Sequence, residues 1–311
     1  MIRYVLKRLL LMIPVLLGVA FIVFSVMSLA PGDPARAILG ENATQEQLDM
    51  LNTQLGVDQP FLIRFGTFVV NVVTKLDFGL SYNSQRPVFD EIFTRFPYTL
   101  RLAVLGVIFS SIIGISIGVF SAIKQYSPFD TISTILALFF ASVPGFWFGM
   151  MLILLFALQL GLLPSNGLDT VKHYILPTLS IAIPYSAGIL RLTRSTMLET
   201  VRQDYIRTAK AKGVTEWVII WKHAFRNALL PVITQLGNVF GQLLGGAVVI
   251  ETVFAIPGLG SHIVNAIRMK DTPVVMASVM LLAFFFCLVI LAVDLLYAFV
   301  DPRIKAKYAR R

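Results

Sequence analysis

The chain has 311 residues, 57% hydrophobic and only 14% charged, with 26 Lys and Arg against 17 Asp and Glu and a net charge of +9. A soluble domain carries roughly 25% charged residues, so this composition excludes an ordinary water-soluble enzyme and a disordered chain. The single cysteine, Cys287, excludes a disulfide-stapled secreted scaffold. A basic excess marks nucleic-acid binding in a soluble protein and cytoplasmic loops in a membrane protein, so the placement of the charges decides between them.

A helix needs about 20 apolar residues to cross the hydrocarbon core. Arg3, Lys7 and Arg8 precede the first charge-free run, Leu9 to Ala30, which is long enough to span. It is longer than the apolar region of a secretory signal, and Pro31 follows it, so an uncleaved anchor is expected. The segment from Pro31 to Arg101 is mixed, with 6 basic and 8 acidic residues. In it Thr44 and Gln47 fit a capping box, Leu48, Leu51 and Leu55 share a face, and Gly56 ends the helix. Pro60 then starts a second helix with a stripe of Phe61, Phe65, Phe68, Val69 and Val72. Composition favours a lid on the bundle or at the lipid headgroups over a docking surface for an extracytoplasmic partner.

The second run, Leu102 to Ile123, contains Gly114-Ile-Ser116-Ile-Gly118. A G-x-S-x-G nucleophile needs a strand-to-helix elbow, whereas Ser116 falls in the middle of a span. Ser110, Gly114, Gly118 and Ala122 instead make a four-spaced small stripe for close helix packing. The third run, Thr131 to Leu168, is too long for one upright helix. It predicts one span ending near Leu162, then a turn at Leu163-Pro-Ser-Asn-Gly167. The fourth, Tyr174 to Leu190, is the weakest, being the shortest and holding Pro177 and Pro184.

The next segment, Arg191 to Asn227, carries 8 basic and 3 acidic residues in a helical pattern. Asp204 to Lys212 reads as a short helix closed by Gly213, and Thr215 as the cap of a second through Trp217, Ile220, Trp221 and Ala224. Leu229-Leu-Pro231 is expected to end that helix and start the fifth span, Ala228 to Ile250. A basic helix pair serves either anionic lipid or a cytoplasmic protein. The fifth span carries a Gly237, Gly241, Gly245 stripe and four uncharged polar residues, Thr234, Gln235, Asn238 and Gln242. These four fit a polar passage and cross-helix bonding equally well. The sixth span is Thr272 to Val293.

Catalytic and metal signatures are absent. No G-x-x-x-x-G-K-[ST] loop occurs, His173, His223 and His262 are scattered, and one cysteine cannot form a thiolate cage. Only Glu251 and Asp294 approach the spans, so no relay of intramembrane acids supports a secondary transporter or stand-alone channel. With the N-terminus inside, the cytoplasmic segments hold 17 of the 26 basic residues. The positive-inside rule then puts both termini in the cytoplasm and leaves nucleic-acid binding without support.

Asp204-Tyr-Ile-Arg-Thr-Ala-Lys-Ala-Lys-Gly213, followed by Lys222-His-Ala-Phe-Arg-Asn-Ala-Leu-Leu-Pro231, resembles the cytoplasmic EAA loop of ABC importer permeases in the dipeptide/oligopeptide/nickel family. Arg207, Thr208 and Ala209 fall at the three naming positions, with Arg and Thr replacing the general Glu and Ala, as in the peptide branch. Further similarities run along the chain: Pro31-Gly-Asp-Pro34, Leu55-Gly-Val-Asp-Gln-Pro60, Asp77-Phe-Gly-Leu-Ser81, Arg191-Leu-Thr-Arg194, Glu251-Thr-Val-Phe254, Pro257-Gly-Leu-Gly260, Asp271-Thr-Pro-Val274 and Asp294-Leu-Leu-Tyr-Ala-Phe-Val-Asp-Pro-Arg303. The long outer segment resembles the B-type member of the permease pair.

The resemblance implies an all-α integral membrane protein with six transmembrane helices, type I ABC importer permease-like. Its parts are expected at 1–30 (arm and first helix), 31–101 (extracytoplasmic segment) and 102–311 (five-helix core with coupling loop 191–227). The implied function is a non-catalytic permease subunit translocating di- or oligopeptides across a bacterial or archaeal inner or plasma membrane; nickel, glutathione or another small solute is the alternative cargo. Implied partners are a second homologous permease, two cytoplasmic ATPases that carry ATP and Mg, and an extracytoplasmic substrate-binding protein. On the same resemblance the chain itself holds no cofactor or metal and binds no nucleic acid. Asp204, Tyr205, Arg207, Thr208, Ala209, Lys210, Ala211, Lys212 and Gly213 are the expected ATPase-docking residues.

Overall fold

The structure, a computed structural model, describes residues 2–29, 33–40, 42–168 and 170–300. The first half of the Pro31–Pro34 motif and the tail that holds Arg303 to Arg311 lie outside them. The elements are α1 (Ile2–Leu29), α2 (Pro34–Leu39), α3 (Gln45–Leu55), α4 (Phe61–Lys75), α5 (Val88–Ile123), α6 (Pro128–Ser142) and α7 (Gly145–Leu152), then α8 (Lys172–Val201), α9 (Asp204–Ala211), α10 (Glu216–Val218), α11 (Arg226–Gly246), α12 (Val248–Val253), α13 (Leu259–Arg268) and α14 (Thr272–Val300). Two π-helical turns, Ile153–Gln159 and Ile219–Phe225, extend α7 and join α10 to α11. Among the described residues the only β feature is one isolated antiparallel bridge, Leu80 to Pro87.

Among the described residues five helices are long and apolar enough to span a membrane, and a bent pair makes up to six. That pair corrects the third expected span. Instead of one helix to Leu162, α6 and α7 meet at 101°. Pro144 holds Val143 extended (φ −83°, ψ 125°) and removes a helical N–H, so the helix cannot run through. The absence of charge from Thr131 to Leu168 conceals that break. The fourth span errs the other way. α8 passes through Pro177 and Pro184 and runs on to Val201, so Arg191 to Val201 belong to a helix rather than to a connecting segment.

Two compact units divide the chain. In the unit of residues 100–256 and 289–300, α8 is the axial helix and packs on α6, α7 and α11. A Cβ added at Gly114 would lie 2.7 Å from Ser186 O, and one at Gly118 2.8 Å from Leu190 O. These glycines let the α5 backbone rest directly on α8, which makes the small stripe a packing device. Ser116 is exposed on another face of α5. Of the second stripe, Gly237 has the same role against Val293 of α14, at 2.7 Å, whereas Gly245 faces open space.

In the unit of residues 2–99 and 257–288, α3 has the expected capping box (Gln47 N–H to Thr44 Oγ1, Thr44 N–H to Gln47 Oε1) and ends at left-handed Gly56. Phe61, Phe65 and Phe68 of α4 cluster around Phe24 and Ala20 of α1 and Met276 of α14. The ring centroids of Phe24 and Phe61 are 5.2 Å apart, an edge contact within the favoured range.

Candidate coupling segment and passage face

The segment from Asp204 to Phe225 is built on a buried cluster. Ile206 of α9, 1% exposed, inserts beside Met197 of α8, Val119 and Ala122 of α5, Ile219 and Ala224 of the second π turn, and Ala228 of α11. One apolar side chain thus anchors α9 while its polar face is left outward. Asp204, Tyr205, Arg207, Thr208, Lys210, Ala211, Lys212 and Gly213 are exposed, and Ala209 is half-buried against the cluster. The two predicted features of the helix end are present. Gly213 has φ +77° and donates its N–H to Lys210 O, and Val214 donates to Ala209 O, which is the Schellman arrangement. Beyond it Thr215 occupies the N-cap position of α10 in extended conformation, without a side-chain capping bond.

Three polar contacts hold α9 and its surroundings. Lys210 Nζ lies 3.7 Å from Glu216 Oε1, Asn227 Nδ2 donates to Tyr205 Oη at 3.0 Å, and Arg207 lies 3.9 Å from Asp204. All are exposed and worth little singly. The second helix differs from expectation. It does not stop at Leu229-Leu-Pro231; α10, the π turn Ile219–Phe225 and α11 are contiguous through Pro231. Trp217, Trp221 and Phe225 pack along this join in a tilted and an edge-on contact, with centroids 5.4 and 5.2 Å apart. A movement of α10 therefore acts on the fifth span through continuous helix, and α9 joins α10 across the short turn at 212–215.

Behind the segment lies an ion pair that the residue pattern alone does not reveal. Arg194 of α8 donates from Nε to Asp130 Oδ1 at 2.6 Å and from Nη2 to Oδ2 at 2.7 Å. Asp130, 4% exposed, also accepts from Ser121 Oγ of α5 and from Tyr126 N–H at 3.0 Å. The carboxylate's acceptor positions are filled, and the pair clamps the tight turn between α5 and α6 to α8. Two signals for it exist in the sequence: Asp130 is the last charge before the longest apolar run, and Arg194 closes Arg191-Leu-Thr-Arg194.

The four polar residues of the fifth span lie on one side of α11. Asn238 and Gln242 are exposed, and Thr234 and Gln235 are half-buried. Val232, Val239 and Leu243 are buried on the other side. Among the described residues none of the four makes a side-chain hydrogen bond. A separate cavity of about 370 Å³ opens beside the α6–α7 bend, lined by Phe146, Ser180, Pro184, Tyr185 and Leu243 among others, and by none of the four. No cluster of His, Cys, Asp or Glu able to hold a metal occurs among the described residues.

Residues 114–306 match the model of the binding-protein-dependent transport system inner membrane component family, and residues 1–103 match the model of its N-terminal region. The chain is 40% identical to the dipeptide transport system permease protein DppB of Alkalihalophilus pseudofirmus, over 98% of this chain and all of that protein. It is 42% identical to the glutathione transport system permease protein GsiC of Escherichia coli K12, over 99% of this chain and all of that protein. Its fold is similar to a chain in the inward-facing MetNI methionine ABC transporter, with a TM-score of 0.57 at 20% identity, covering 68% of this chain and 96% of that one.

Proposed function

The chain belongs to the family of binding-protein-dependent transport system inner membrane components, and from that premise we propose that it is the peptide-translocating permease subunit of an ATP-driven importer. The observation that carries the reading is α9: a short helix held by one buried residue, closed by a glycine cap and continuous in packing with the base of α5, α8 and α11. Energy supplied from outside the chain needs a stiff element at which to enter, and this helix meets the requirement.

In this reading two cytoplasmic ATPase subunits, which carry the ATP and Mg, dock on Asp204 to Gly213. The chain catalyses nothing itself. Both termini and α9 lie in the cytoplasm of a bacterial cell and residues 31–101 on the outer side, where a substrate-binding protein delivers its load. Residues 102–311 form the permease core with its coupling loop at 191–227. Thr234, Gln235, Asn238 and Gln242 line the passage, which a second, homologous permease completes. Exposed amides on an otherwise apolar span are costly against lipid and cheap against a water-filled path. The likeness to a dipeptide permease supports peptide as cargo. Glutathione is the second reading, favoured by the equally full-length likeness to a glutathione permease.

The test is purification of the tagged chain with its native partners, reconstitution in proteoliposomes, and ATP-driven uptake of labelled dipeptide and of glutathione. Co-purification of two ATPases and a second permease with dipeptide uptake is expected. Isolation of the chain alone, or transport without ATP, would refute the reading.

A further inference from the structure

Residues from 81–95 and 262–274, all within the unit of residues 2–99 and 257–288, line an open cavity of about 580 Å³, a size suited to a small ligand. Its charged lining divides into satisfied and unsatisfied groups. Asp271, 3% exposed, accepts from Ser81 Oγ at 2.5 Å, from Asn83 N–H at 3.3 Å and from Val274 N–H at 3.4 Å. It serves as the cap of α14. Glu91 accepts from Ser84 Oγ and lies 3.3 Å from His262 Nε2. Burial and then the neighbouring Arg95 charge hold the His262 imidazole below its ordinary value, which favours the uncharged ring.

The two guanidiniums are different. Among the described residues neither Arg95 nor Arg268 makes a hydrogen bond or ion pair, and both line the cavity. Each presents five N–H donors in a planar fork shaped for a carboxylate. Lys270, next in the chain to lining residues Met269 and Asp271, adds a buried Nζ without a hydrogen-bond partner. The carboxylates are occupied and the cations are not, so the lining is suited to an anion. A concave site of this volume fits a small molecule better than the flatter, larger patch that a protein partner needs.

We propose that this cavity receives the C-terminal carboxylate of a short peptide, held by Arg95 and Arg268, on the side from which import starts; the proposal rests on the peptide reading above. The peptide meets these residues after its release from the binding protein. Saturation-transfer NMR on the purified transporter complex without its binding protein, using a dipeptide and its C-terminal amide, tests this directly. The free acid should bind and the amide should bind about tenfold more weakly, the usual weight of one charge-assisted contact. Arg268→Gln, at an exposed position that spares the fold, should weaken the acid about tenfold and leave the amide unchanged. Arg95→Gln combined with it should abolish the preference. Equal binding of acid and amide, no binding at all, or acid binding unaffected by both substitutions would overturn the proposal. So would loss of binding-protein affinity with dipeptide binding intact, which would assign the arginines to a protein carboxylate. ATP-driven dipeptide uptake by the unaltered complex reports on the peptide reading separately: acid-selective binding without uptake would sink that reading and keep the carboxylate site.

Discussion

At the scale of single residues, the Asp130–Arg194 pair is a bidentate, largely buried ion pair in the unit that carries α9. Both carboxylate oxygens receive guanidinium donors at 2.6–2.7 Å, and the carboxylate is almost wholly buried. Removing one partner leaves the other charged and desolvated, which costs about 3 kcal/mol. Asp130→Asn and Arg194→Gln should each lower the thermal unfolding midpoint of the purified complex. The double substitution should cost clearly less than the two added together, because the second removes the orphan left by the first. Strict additivity would show that the pair contributes nothing as a pair.

At the scale of the element, α9 depends on its ends. Its cap residue Gly213 sits at φ +77°, and a Cβ there would meet nothing within 4 Å. A side chain is therefore disfavoured by backbone conformation alone and not by neighbours within the chain. Valine at such an angle costs about 1–2 kcal/mol, enough to unwind the last turn of a helix of 8 residues. Gly213→Val is expected to lower the substrate moved per ATP hydrolysed while insertion and expression stay normal. Gly213→Asn, which tolerates the left-handed region, should keep most of the coupling. Paired uptake and ATPase measurements in vesicles decide; unchanged stoichiometry in the valine variant would remove α9 from the coupling path. The element scale also shows why α8 is stronger than its sequence: two prolines weaken it as an isolated helix, yet 56% of its most apolar window is buried, and packing overrides propensity.

At the scale of the whole molecule, the arrangement across the membrane follows from where the charges fall. Single cysteines placed in a chain carrying Cys287→Ala test it: Lys212→Cys should react with an impermeant thiol reagent only from the cytoplasmic side, and Asn83→Cys only from outside. The reverse pattern would invert both the coupling and the carboxylate-site assignments. Span number, the Thr44 capping box, the Gly213 cap and the glycine stripe of α5 are all readable from residue order. Each depends on neighbours within a turn or two, or on summed hydropathy across one helix. The bend at Pro144 is also local, but the uncharged stretch from Thr131 to Leu168 offers no boundary by which to see it. The few charges of this chain and its +9 excess thus decided that it spans a membrane and where its basic segments cluster. Folding alone decided which of those charges meet. Asp130 and Arg194 are 64 positions apart, and the unpaired arginines of the cavity, Arg95 of α5 and Arg268 of α13, are 173 positions apart (268 − 95). Pairing at such distances is set by three-dimensional packing of helices, to which local periodicity is blind.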